Sequence, residues 1–303
     1  MRISPERYRL ITVIALGLLI AIVITGAAVR LTGSGLGCED WPNCSDERLI
    51  DVSSANAAIE QINRLFTGLV AVAVIAAVLG SLWRTPRRRD LTLLSLGLVA
   101  GVLGQIVLGG ITVLVDLHPV AVQSHLLLSM VLVATAVTLV RRAGEPDDAQ
   151  RGALVSTRTS WLVWALGATT AVAIVTGTVV TGAGPHAGDE RARRYAVDIA
   201  DAARVHGATV IVALVLALVI VATTRRTSEG RNLQAPLSSW LFVGLLQAGV
   251  GYTQYFNEVP ALLVGIHVAG ATALWAMTVW LVVSTRGPVN AVIAPRSAIA
   301  VPA

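Results

Sequence analysis

Eight apolar runs, each separated from the next by a short stretch rich in charge, proline or glycine, organise this chain. They cover roughly residues 10–29, 61–82, 92–114, 120–140, 160–181, 203–223, 237–256 and 261–283. About 20 apolar residues cross a hydrocarbon layer as helix. A spanning segment must satisfy its own backbone, and these runs lack the alternation of barrel strands, so helix is the conformation they predict. The expected fold is therefore all-α and integral to a membrane, with eight transmembrane helices. Arg2, Arg7 and Arg9 precede the first run as they would in a signal peptide. That run is longer than a signal core and ends in AAVRLTG without a small-x-small cleavage site, which predicts a retained helix.

The polar positions inside the runs repeat. Gln105 stands twenty residues before His125, and Gln247 twenty before His267, with Pro119 and Pro260 shortly ahead of the histidines. A second register sets Asn63 against His206, 143 positions apart. Such self-similarity marks two copies of one unit. With four helices each, the copies enter the membrane in the same direction, giving parallel-repeat four-helix bundles. The halves are placed at 1–150 and 151–303, joined through GEPDDAQRGAL between Arg141 and Ser160, with a disordered tail from about 285 to 303.

Composition sharpens this picture without altering it. The 303 residues are 55% hydrophobic and 14% charged, too apolar for a soluble domain of this length. All basic residues are arginine. Those at 2, 7, 9, 84, 87, 88, 89, 141, 142, 151, 158, 225, 226, 231 and 286 fall on alternate connections, which the positive-inside rule assigns to the cytoplasm together with both ends of the chain. The net charge of +5 then reports topology and contact with anionic lipid, and RTPRRRD reads as a cytoplasmic loop rather than a nucleic-acid patch. No nucleic-acid partner is expected.

Under this topology Asn63, His125, His206 and His267 all lie in the first turns of the even-numbered helices, at one depth near the outer face. An ionisable side chain in a bilayer is costly and functional by default. Two neutral imidazoles facing each other, with no carboxylate or thiolate to complete a tetrahedral set, suit haem iron better than zinc. His206 and His267 thus predict a haem b with both axial positions filled. In the first half His125 can bind iron and Asn63 is a poor ligand, so a haem there would be five-coordinate or hold water or a small molecule on its second side. Glu60, one turn before Asn63, is a candidate for proton transfer; the alternative is a plain ion pair with Arg64 at i,i+4. Arg30, Arg64 and Arg204 flank the ligand positions, where they either orient haem propionates or anchor the helices at the interface. His118 and His186 are expected in solvated outer loops, and Gln105 and Gln247 in hydrogen bonds between helices.

The only cysteines, Cys38 and Cys44, face the outer compartment in CEDWPNC, and a disulfide is expected there, as a brace or as a reducible switch. The preceding GSGLG lacks the lysine and strand context of a phosphate loop, which removes nucleotide binding.

TGAAVRLTGSGLGCEDWPNC, IEQINR, HPVAVQSH, RVHGAT and LLVGIHVAG together resemble the heme A synthase family over nearly the whole chain. That family consists of eight-helix proteins in two four-helix halves, oxidising a methyl group of haem O to formyl to give haem A for terminal oxidases. The resemblance implies His206 and His267 as ligands of a cofactor haem b, His125 in the substrate site, and Glu60 as the carboxylate needed for turnover; by their positions Arg30, Asn63 and Arg64 are expected around the substrate and Arg204 beside the cofactor. Where the family's second helix reads Glu-x-x-His-Arg, this chain has Asn63 in place of the histidine. Cys38 and Cys44 match the family's paired cysteines in the first outer loop, and TGAGPHAGDERA carries no second pair. The expected reaction is two successive hydroxylations of haem O followed by loss of water, in a bacterial cytoplasmic membrane. Pathway logic adds heme O synthase and cytochrome oxidase assembly factors as partners. A diheme b-type electron-transfer cytochrome and a haem carrier or assembly chaperone are the competing readings of the same ligands.

Overall fold

A computed structural model describes residues 2–289. Its eight long helices are α1 (Pro5–Leu31), α2 (Ala55–Trp83), α3 (Arg89–Leu114), α4 (Pro119–Ala143), α5 (Thr157–Ala183), α6 (Ile199–Thr224), α7 (Ser228–Phe256) and α8 (Ala261–Ser284). All eight are long and apolar enough to span a membrane. Each predicted run falls inside one helix. The helices extend past the runs because their polar first turns are capped: Ser4, Ser54, Ser156 and Thr227 accept the N–H three residues on, and Asp198 accepts those of Ala200 and Asp201. Each such cap is worth about 1 kcal/mol. Helix α7 continues through Pro236 and so begins nine residues ahead of its apolar run at 237.

Within each half, helices touch in ring order: α1 against α2, α2 against α3, α3 against α4, and α4 back against α1, with α5 to α8 repeating the scheme. The first bundle packs around Tyr8, Leu19, Val74, Leu91, Leu98 and Leu132, and the second around Val163, Leu166, Ala217, Ile220, Leu237 and Trp240. The halves meet through α1, α4, α5 and α8. Val133, Val137 and Val279 fill that seam, and Trp275 Nε1 donates to Met130 O across it at 2.8 Å.

Two corresponding turns repeat the geometry. Asp116 and Leu117 have φ of 51° and 53°, and Glu258 and Val259 have φ of 60° and 57°. Leu117 N donates to Thr112 O and Val259 N to Gln254 O, both at 2.8 Å, closing α3 and α7 in the same way. Left-handed backbone is uncommon for residues with a Cβ. Its recurrence at both turns shows that the two halves share backbone geometry as well as polar positions.

The connection between the halves is shorter and more ordered than a free linker. Helix α4 continues to Ala143, α5 begins at Thr157, and residues Arg151–Ala153 form strand β1. It pairs antiparallel with β2 (Arg286–Pro288), Arg151 opposite Pro288. The tail expected from about 285 is therefore structured through Pro288, because its backbone groups are used by this ribbon; the rest of that expectation, 290–303, lies outside the described residues. Around it sits an arginine and carboxylate network: Arg84 with Asp147 at 2.6 Å, Arg142 with Asp90 at 2.7 Å, and Arg151 with the buried Glu145.

Candidate haem-ligand layer

The four predicted ligand positions lie at the end of the bundle opposite this network. The α1–α2, α3–α4, α5–α6 and α7–α8 connections are there, and Asn63, His125, His206 and His267 occupy the adjoining turns of α2, α4, α6 and α8. In the ring order, α6 and α8 are diagonal, so His206 and His267 point across the centre of the second bundle. Their ring centres are 6.2 Å apart and their planes nearly perpendicular, at 79°. A metal bound by a ring nitrogen on each side at about 2 Å, with roughly 1.1 Å more from each nitrogen to its ring centre, calls for about the same separation. Among the described residues no cluster of three or more His, Cys, Asp or Glu side chains could hold a metal.

The surroundings of His206 also fit. A ligating imidazole normally gives its second nitrogen to a carbonyl, which fixes tautomer and ring orientation. His206 Nδ1 lies 3.0 Å from Ala173 O and 3.3 Å from Thr176 Oγ1. The Nδ1 atoms of His267 and His125 are buried without a protein partner. Each imidazole lies against a glycine on the helix before it. A Cβ at Gly177 would stand 3.1 Å from His206 Cε1, one at Gly109 3.3 Å from His125 Cε1, and one at Gly251 3.4 Å from His267 Cε1. These glycines make room for the rings, a role that the sequence reading did not assign them.

In the first half, Glu60 is buried and both of its oxygens accept hydrogen bonds. Its Oε1 accepts from Arg64 Nε at 3.0 Å and Nη2 at 2.7 Å, and its Oε2 accepts from the backbone N–H of Cys38 at 2.8 Å. Arg64 continues to Asn43 O at 3.1 Å and Asp40 O at 3.3 Å. The i,i+4 pair is thus present, and it grips both sides of the Cys38–Cys44 disulfide loop. Glycine in GSGLG serves that packing: a Cβ at Gly37 would collide with the Asn56 and Ala57 backbone. Asn63 Oδ1 is buried with no partner.

The remaining candidates separate. Arg30 donates to His186 O at 2.7 Å and Thr181 O at 3.0 Å, so its guanidinium joins the end of α1 to the α5–α6 loop of the other half. His186, expected in solvent, is instead half-buried, with Nε2 2.7 Å from Val259 O, because the loop folds down onto the α7–α8 turn. His118 caps α4 without a side-chain bond. Arg204 pairs with Asp201 at 2.5 Å and is largely exposed, as an interfacial anchor would be. Gln105 Nε2 bridges to His125 O at 3.0 Å and Ser129 Oγ at 2.8 Å, an interhelical bond that steadies the turn carrying the histidine. Gln247 packs its side chain against Gly270 of α8, with Oε1 unpartnered.

Residues 9–57 and 49–188, together more than half of the chain, match the sequence model of the cytochrome oxidase assembly protein family, COX15-CtaA. A protein of a Caulobacter species named "Heme A synthase" is 28% identical, the match covering 89% of this chain and 94% of the relative. One from Bacillus pumilus with the same name is 31% identical over 43% of each. A Chloroflexus aurantiacus protein named "Protoheme IX farnesyltransferase" is 29% identical over 46% of this chain but only 26% of its own length.

Proposed function

This chain belongs to the COX15-CtaA family of cytochrome oxidase assembly proteins, and from that premise we propose that it is a heme A synthase, oxidising a methyl group of haem O to formyl. The observation that carries the proposal is the unequal provision of the two halves: a facing imidazole pair, His206 and His267, in one, and His125 with Asn63 in the other.

In this reading His206 and His267 hold a resident haem b. Such a group, held by these two imidazoles, would supply one-electron transfer. His206 is oriented for that task by Ala173 O and Thr176. The substrate, haem O, lies in the first half against His125, with Asn63 on the other side. Glu60 handles the protons released as the methyl group is oxidised: its Oε1 is committed to the fork of Arg64, while Oε2 has one backbone donor and a lone pair to spare. Arg64 fixes the carboxylate, and Arg30 closes the wall between the halves. An electron-transfer cytochrome would call for an imidazole pair in both halves, which Asn63 does not supply.

The arginine-rich end is taken as cytoplasmic, placing the ligand layer and the disulfide on the outer side of a bacterial cell membrane. The enzyme that supplies haem O is proposed as a partner, in keeping with the similarity of part of this chain to a protein named "Protoheme IX farnesyltransferase".

The test is the haem content of cells that make haem O and express this chain. Haem A should appear on mass spectrometry with the wild type, and Glu60→Gln should leave haem O or its alcohol instead. Haem O unchanged by the wild-type protein refutes the proposal; unaltered haem A with Glu60→Gln removes Glu60 from the mechanism.

A further inference from the structure

All four odd-numbered helices carry a glycine at one depth: Gly26, Gly109 and Gly251 stand five residues before the ends of α1, α3 and α7 (Leu31, Leu114 and Phe256), and Gly177 six before the end of α5 (Ala183). Three of them are filled by the imidazole of the following helix. At Gly26 a Cβ would meet nothing within 4 Å. The correspondence of Gly26 with Gly177 is fixed by the loops. Gly26 to Asn63 spans 37 positions and Gly177 to His206 spans 29, a difference of eight. The α1–α2 connection (32–54, 23 residues) exceeds the α5–α6 connection (184–198, 15 residues) by the same eight. Asn63 therefore occupies the place of His206, and the extra length belongs to the segment containing the disulfide loop.

The backbone around the two positions tells the same story. Ala173 O accepts from His206 Nδ1, and Thr176 Oγ1 also reaches that ring. The equivalents in α1 are Ile22 O and Thr25, and Thr25 Oγ1 donates to that carbonyl at 3.3 Å as Thr176 Oγ1 does to Ala173 O at 3.1 Å, but with no imidazole beside the pair. The seat of an imidazole is retained, its ring is gone, and the shorter side chain that replaced it buries an unpartnered oxygen, Asn63 Oδ1. A buried acceptor left without a donor costs about 1–3 kcal/mol, so turning this amide to meet a small donor in the open space beside Gly26 is favoured.

We propose that the space bounded by Gly26 and Asn63 is a pocket for a small neutral ligand, water in the resting protein and an azole such as imidazole when one is supplied, across the substrate macrocycle from His125. This rests on the reading of the first half as the substrate site. In it Asn63 is a specificity residue: its oxygen accepts from the bound molecule, and its shortness keeps one side of the substrate iron accessible, which a histidine would close.

The experiment is an imidazole titration of the purified full-length protein loaded with haem, followed by absorption spectroscopy. The wild type should show one high-spin haem that imidazole converts to low spin, beside one low-spin haem that does not respond. Asn63→His should be low-spin at both sites and indifferent to imidazole. Gly26→Leu, which fills the seat without offering a ligand, should stay high-spin and bind imidazole about tenfold more weakly or worse. Should Asn63→His fail to fold, the wild-type and Gly26→Leu titrations still decide. Two low-spin, unresponsive haems in the wild type, one of them lost in His125→Ala, would overturn the pocket and leave the substrate site standing. Haem content and spectrum unchanged by His125→Ala would take down the site and the pocket together.

Discussion

A carboxylate buried as deeply as Glu60 must have its oxygens met by donors, and one side chain, Arg64, meets Oε1 while tying the helix to the loop carbonyls of Asp40 and Asn43. Removing the guanidinium strands the charge and frees the loop. Arg64→Ala is expected to destabilise by about 3 kcal/mol, the lower end for breaking a buried pair, and to make the 38–44 loop sensitive to protease; thermal unfolding and limited digestion check this. The pairing of Glu60 with Arg64 was legible from their four-residue spacing. The Cys38 N–H on Oε2 was not, because a main-chain donor from a loop 22 residues away leaves no letter in the sequence. At the other end, Glu229 accepts from Thr159 Oγ1, Ser156 N and Ser156 Oγ, and these bonds, the first foremost, hold its carboxyl below the ordinary value of 4.5. A depressed carboxylate stabilises the fold above its unfolded-state pKa and loses that contribution as pH falls through the lower folded value. Wild type should therefore exceed Glu229→Gln in thermal stability at neutral pH, with the difference shrinking below about pH 4.5.

At the scale of helices and turns, the number of spans and their order could be read directly, since each apolar run is long and bounded by charge. What escaped reading was the partner of each imidazole. Glycine is frequent in membrane helices for several reasons, and the matched depth of Gly26, Gly109, Gly177 and Gly251 emerges only when the helix ends are known. The contrast between seats is testable: Gly177→Leu should reduce haem retention in the second half, as extracted haem per protein, because Cβ alone already approaches the His206 ring to 3.1 Å. The turn before α8 offers a stability test. Glu258 is exposed and left-handed. Glycine relieves roughly 1–2 kcal/mol of backbone strain there and costs about 0.5–1 in chain entropy. Glu258→Gly should thus be neutral to slightly stabilising, where the same change in mid-helix would harm.

For the molecule as a whole, duplication was the strongest message of the sequence, and the two rings of helices follow it. The seam between them was less visible. Trp275 with Met130 O, Gln123 with Thr178 Oγ1 at 2.7 Å, and Arg30 with His186 O join elements about 55 to 156 positions apart, none marked by a motif. The ribbon of β1 and β2 was hidden for another reason: RGA and RGP are three-residue strands, too short for any alternation to register. Yet this ribbon brings the start of the second bundle to its finish, Gly152 opposite Gly287. Polypeptides severed between Asp148 and Gln150 would each retain a complete ring, and the C-terminal fragment would arrive with its own ends already stitched together. Co-expressed fragments should then reassociate along α4 and α8, and the one carrying His206 and His267 should colour red by itself.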